Sequence, residues 1–272
     1  MHRSCTGDAQ PILIAPAAIP AALRRMGRLA CLVLAIPALA TPALAATFTP
    51  PQGCTLTLTV QQRSCTVAQH FTCSADAPGD QRVAYFTREG LVYQSRIDAE
   101  TRWIESTDTI SGVTDRLEPQ AADHASLRTL ISTGRDDFDF WTLSDSGERL
   151  RHIGQDVLTG TTTIDGVALD TTRFELRTFS AGGELLIHRI GGQFLSREFG
   201  RFYGGVETAT DWRGEVEETN DTPVRFVRPG QPGFGSTEPD YDCDQQMVRM
   251  APVPTYDPPA AIGEAATKEP RA

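Results

Sequence analysis

The stretch Gly53 to Cys73, GCTLTLTVQQRSCTVAQHFTC, places three of the chain's six cysteines in two runs that alternate with a period of two. In the first, Leu56, Leu58 and Val60 alternate with threonines; in the second, Val67, Phe71 and Cys73 share one parity. Such alternation describes half-buried strands. A two-residue turn at Arg63-Ser64 would set Gln62 opposite Cys65, Val60 opposite Val67, Leu56 opposite Phe71 and Cys54 opposite Cys73. Cys65 and Cys73 cannot bond within one extended strand, because eight steps of about 3.3 Å separate them by roughly 26 Å. The expected pairs are therefore Cys54 with Cys73 and Cys65 with Cys243, the second tying the end of the domain to its start.

Disulfides fit the destination of the chain. Residues 26–45, MGRLACLVLAIPALATPALA, have a basic start at Arg28, an apolar run of about eleven residues and the small-residue ending Ala43-Leu44-Ala45, the pattern of a secretory signal peptide. Pro37 and Pro42 interrupt the run, which is too short for a membrane span. Residues 1–25 match no targeting signal and read as lying upstream of a true start at Met26. Cleavage would leave four cysteines, and an oxidising compartment favours bonding them to each other. With no Cys-x-x-Cys pair, zinc-ribbon and thioredoxin-type readings lose their main signature. Cleavage also removes four of 25 basic residues and one of 35 acidic ones, leaving a formal charge of −13. That field repels nucleic acid.

From residue 47 to 250 the chain reads as a single β-rich domain. Two strands flank Arg88-Glu89-Gly90, a third covers TRWIEST, and DFDFWTL runs through a turn at Asp145-Ser146-Gly147 into a long strand ending TGTTTI. Asp165-Gly166 is the strongest hairpin signal, followed by VALDTTRFELRTF and a turn at Gly182-Gly183. One helix interrupts, HASLRTLIS, with Asp123 as its cap and Gly134 as its stop. The expected fold is mainly β: a large curled antiparallel sheet, a half-barrel or barrel-like meander of around ten strands with one short α-helix, tied by disulfides. Residues 251–272, rich in Pro and Ala, read as a disordered tail.

No nucleophile elbow, phosphate-binding glycine loop or metalloprotease helix occurs, and no cofactor is implied. An uninterrupted register from Asp165-Gly166 sets Asp156 opposite Glu175, Gly154 opposite Arg177 and His152 opposite Phe179; the next turn sets His188 opposite Arg177. His152, Asp156, Glu175, Arg177 and His188 would then share one polar face. It could be read as a metal or acid-base site, but the two histidines would stand about 12 Å apart, so a solvated face is the simpler account and no metal is assigned. Asp136, Asp137 and Asp139 lack the spacing of a calcium loop and read as an exposed strand start. Asn220-Asp221-Thr222 matches a glycosylation acceptor by pattern alone. His70, opposite Thr57, is expected on the solvent side, and His124 in the first helical turn.

Several strands carry large apolar residues on both parities, as with Phe138 and Phe140 against Trp141 and Leu143, so the sheet either closes on its own side chains or leaves an apolar concavity. That pattern, over roughly Cys54 to Val227, resembles in architecture the periplasmic lipoprotein-carrier superfamily, whose half-barrel lidded by helices holds acyl chains. TIDGVALDTTRFEL and PVRFVRPGQPGF resemble uncharacterised exported β-rich proteins of Gram-negative bacteria. The resemblance implies a periplasmic, non-enzymatic binding or carrier module for an apolar or acyl-bearing ligand, or lipid, with no transmembrane span after signal cleavage. The alternatives are an envelope structural or interaction protein with a partner surface near Arg228 to Phe234, and a hydrolase-like enzyme using Asp156, Glu175 and His188.

Overall fold

The computed structural model describes residues 46–244; the proposed start, signal segment and tail lie outside them. Fourteen strands and one helix follow in the order β1 (Cys54–Gln62), β2 (Thr66–Cys73), β3 (Gln81–Thr87), β4 (Gly90–Ile97), β5 (Trp103–Asp108), β6 (Thr114–Leu117), α1 (Leu127–Thr133), β7 (Arg135–Ser144), β8 (Arg149–Ile164), β9 (Val167–Ser180), β10 (Leu185–Ser196), β11 (Arg201–Tyr203), β12 (Val206–Asp211), β13 (Val216–Asn220) and β14 (Pro223–Val227). They form one antiparallel sheet in the order β13-β12-β10-β9-β8-β7-β6-β5-β4-β3-β2-β1-β14, with β11 beside β10. Meander connections account for almost all of it, and the sheet is not closed into a barrel.

Asp165 and Gly166 both adopt positive φ, the conformation a two-residue hairpin demands, and Ile164 faces Val167 across them. The β8–β9 tip folds over β14: Asp165 Oδ2 accepts from the Phe226 amide at 2.8 Å, and Val167 and Leu169 pack against Leu58, Val60, Val83 and Phe226. This is the dense core.

The first hairpin turns through three residues rather than two. Ser64 and Cys65 take positive φ, so Gln62 pairs with Thr66, Gln61 with Val67 and Val60 with Ala68. A bulge at Thr57 then restores the register, with Leu56 opposite Phe71 and Cys54 opposite Cys73. Leu56 and Phe71 are thereby placed on the opposite face from Leu58 and Val60. His70 moves inward, opposite Leu58, and is buried rather than solvated. One disulfide joins Cys54 to Cys73 and the other joins Cys65 to Cys243.

The outer face of β1 and β2 is covered by a strap preceding Cys243. Gln69 donates to the Ser236 carbonyl at 2.6 Å, Gln61 donates to the Glu238 carbonyl at 2.9 Å and accepts from the Asp240 amide at 3.0 Å, and Thr59 accepts from the Gly235 amide at 2.8 Å. Buried glutamines are tolerable here because the strap satisfies them. The helix is shorter than HASLRTLIS: Ser126 caps it, accepting from the Thr129 amide at 3.1 Å, and Gly134 closes it in the left-handed conformation. Asp123 instead bridges Asp139 of β7 through backbone hydrogen bonds, running the segment before the helix along the part of β7 that short β6 leaves unpaired.

Candidate functional site

Inside the curl, away from the dense core, a second apolar cluster joins Phe138 and Phe140 of β7 to Phe174 and Leu176 of β9. These side chains line a cavity of about 510 Å3 with Trp103 and Tyr93 on the facing wall. Phe138 and Phe140 alternate along their strand as Phe174 and Leu176 do along theirs, so both pairs point inward. Between the strands, Gly154 leaves room for the Phe138 ring, which a β-carbon there would meet at 2.7 Å. Trp103 stands edge-on to Phe140 at 5.7 Å and remains 45% exposed. Leu117, Ala121 and Ala125 close one side. That side is held by Glu100, which accepts from Ser126 Oγ at 3.0 Å and the Arg128 amide at 3.1 Å, satisfying the helix start.

Polar groups interrupt the apolar wall. Asp156 faces Asp136 directly across β7 and β8. Burial, with the Asp136 charge adding to it, pushes the Asp156 carboxyl up to about 7. Burial also raises the Asp136, Glu207 and Asp221 carboxyls, and Glu207 pairs with Arg189 at 3.0 Å. Arg189 sits opposite Leu176, so its charge enters the same cavity. The arrangement is an aromatic-walled space with carboxyls and the Arg189 guanidinium in its lining, suited to an amphipathic guest.

The five-residue polar face does not exist as one face. A bulge at Thr159, where Thr159 Oγ1 donates to the Thr171 carbonyl at 3.0 Å, shifts the register by one, so Asp156 pairs with Phe174 and His152 with Thr178. His152 and Asp156 therefore point inward, whereas Glu175, Arg177 and His188 stay outside. There Glu175 pairs with Arg177 and meets His188 Nε2 at 3.0 Å. His188 does lie opposite Arg177.

His152 is held between Thr142 Oγ1 at 3.0 Å and Thr178 Oγ1 at 3.2 Å, with its ring stacked on Phe140. Burial, then the Arg189 charge, depresses it to about 4, so it stays neutral beside Phe140. Asp136, expected at an exposed strand start, is buried and accepts from the Ser126 amide at 2.8 Å; Asp137 and Asp139 stay outside, paired with Arg135 and Arg151. His124 precedes the helix and lines the cavity. Among the described residues no cluster of three His, Cys, Asp or Glu is arranged to hold a metal ion. None of their helices is long and apolar enough to cross a membrane.

No protein-family model, curated protein or solved structure matches the chain.

Proposed function

We propose that the chain is an exported, non-enzymatic binding or carrier module whose concave face takes an apolar or acyl-bearing ligand. The observation that carries this is the aromatic-walled cavity of about 510 Å3, left open although Trp103, Phe138, Phe140 and Phe174 all point into it. Two disulfides suit an oxidising compartment, and the likeness to periplasmic lipoprotein carriers is one of architecture. The ligand's polar end would meet Asp156, Arg189 and Glu207. A hydrolase is less well supported, because Asp156 is on the opposite face from Glu175 and His188.

The test combines lipid extraction of protein purified from its own envelope with a palmitate titration followed by tryptophan emission. Trp103 lines the cavity, whereas Trp141 and Trp212 do not. The expected result is a copurifying acyl species and a saturable emission change lost in Trp103→Phe. Protein that is clean and unresponsive overturns the proposal. An envelope interaction protein would draw instead on β13, one of the two end strands of the sheet, with Val206, Trp212 and Val216 exposed around it.

A further inference from the structure

A second cavity, of about 600 Å3, lies between the connection from β2 to β3 and the turn from β10 into β11. Two of the side chains lining it are almost wholly inside the protein: Arg201, 4% exposed, and His70, 3% exposed. The Arg201 guanidinium gives one long hydrogen bond, from Nη1 to Gln81 Oε1 at 3.5 Å, and its Nε has no partner. Gln81 is itself fixed, donating to the Phe199 carbonyl at 2.9 Å. Neither ring nitrogen of His70 has a partner, and its ring meets Tyr203 edge-on at 5.6 Å.

A buried guanidinium is retained in proteins when something compensates it, since an isolated buried charge is costly. Within the fold the Tyr203 ring lies 5.9 Å from the Arg201 Cζ, a weak contact that brings no counter-charge. The acidic groups at this cavity are Asp76, Asp80 and Glu198, and each is committed elsewhere. Asp76 binds Arg82 at 2.6 Å, Asp80 binds Arg96 at 3.2 Å, and Glu198 binds Arg228 at 2.8 Å. Arg201 remains without a counter-charge among the described residues.

We propose that this cavity binds a carboxylate, with Arg201 supplying the positive charge and the His70 imidazole a second donor. The charge balance selects the class: one guanidinium neutralises one carboxylate, whereas a phosphate dianion would place a second negative charge beside Asp76, Asp80 and Glu198. Leu58 and Phe199 give the carbon side of the guest an apolar wall. This site is separate from the aromatic-walled cavity and does not depend on what that cavity holds.

The experiment is thermal unfolding of the disulfide-bonded chain in sodium acetate against sodium chloride at matched ionic strength and pH, with inorganic phosphate as a third arm. Acetate is expected to raise the melting temperature progressively with concentration, phosphate less so. Arg201→Gln is expected to abolish that rise while leaving the ligand-free protein no less stable, because the unpaired charge is gone. Equal melting in acetate and chloride, a larger effect of phosphate, or a rise that survives in Arg201→Gln each overturns the assignment. Should the variant fail to fold, a saturable acetate-dependent shift of the His70 ring resonances in the unmodified chain decides the question, and its absence refutes the site.

Discussion

Asp156 shows how one residue reports on its surroundings. Its carboxyl titrates near 7 in the folded chain, from an ordinary 3.8, so between those values the folded state holds a proton that the unfolded state has released. Stability contributed by this group therefore falls as pH rises through that window and is level above about 7. His152 acts with the opposite sign: depressed to about 4, it costs stability as pH falls below 6.5. The two slopes oppose each other in the unmodified chain. Asp156→Asn removes one of them, so the variant is expected to gain stability relative to the parent as pH rises from 4 to 7, by up to about 4 kcal/mol. Urea unfolding at several pH values measures this, and a pH-independent difference would contradict the buried-carboxyl account. Composition and alternation bring His152 and Asp156 to notice. Asp136, opposite Asp156, is hidden, because RDDFDFW reads equally well as a solvated strand start.

At the scale of elements, the hairpins are legible and the bulges are not. Asp165-Gly166 carries its turn type in two residues, and the alternation of β1, β2 and β7 is plain. Bulges at Thr57 and Thr159 leave no comparable mark, since threonine fits either face of a strand. The three-residue first turn sets His70 opposite Leu58 and so inside, and the Thr57 bulge inverts only the residues beyond it; the Thr159 bulge brings Asp156 and His152 inside, where Phe174 and Leu176 keep their apolar company. Similarly, Ser126 rather than Asp123 caps the helix because Asp123 is drawn into pairing with β7. Gly154 tests the resulting register. A β-carbon there would lie 2.7 Å from the Phe138 ring and closer still to the Glu175 carbonyl oxygen. Gly154→Ala is expected to cost about 1–3 kcal/mol and to weaken palmitate binding, as denaturant unfolding and Trp103 emission would record. An unaffected variant would place Phe138 elsewhere.

For the whole molecule, the antiparallel class follows from many short alternating runs, whereas the strap over β1 and β2 had no sequence signature beyond the cysteine that ends it. Gln61 and Gln69 look like exposed strand residues until the strap supplies their partners. The Cys65–Cys243 bond closes a separation of 178 residues and the Cys54–Cys73 bond one of 19. Loop-closure entropy gives upper values of about 5 and about 3 kcal/mol respectively. Replacing Cys65 and Cys243 together by serine is expected to lower stability more than replacing Cys54 and Cys73, as comparison of chemical denaturation midpoints would show; the reverse order would mean that the strap is held by its hydrogen bonds alone.

The two bonds also interlace. A chain threaded N-terminus first into an oxidising compartment presents Cys54, then Cys65, then Cys73, and Cys243 only after nearly all the sheet has followed. Neighbours in order of arrival are the wrong partners, because Cys54 belongs to Cys73 and Cys65 to the last to appear. In a chain exported as proposed, the native linkage would be reached either by Cys65 remaining reduced until Cys243 arrives, or by exchange of an early mispaired bond, and only the second route calls on a thiol-exchange catalyst.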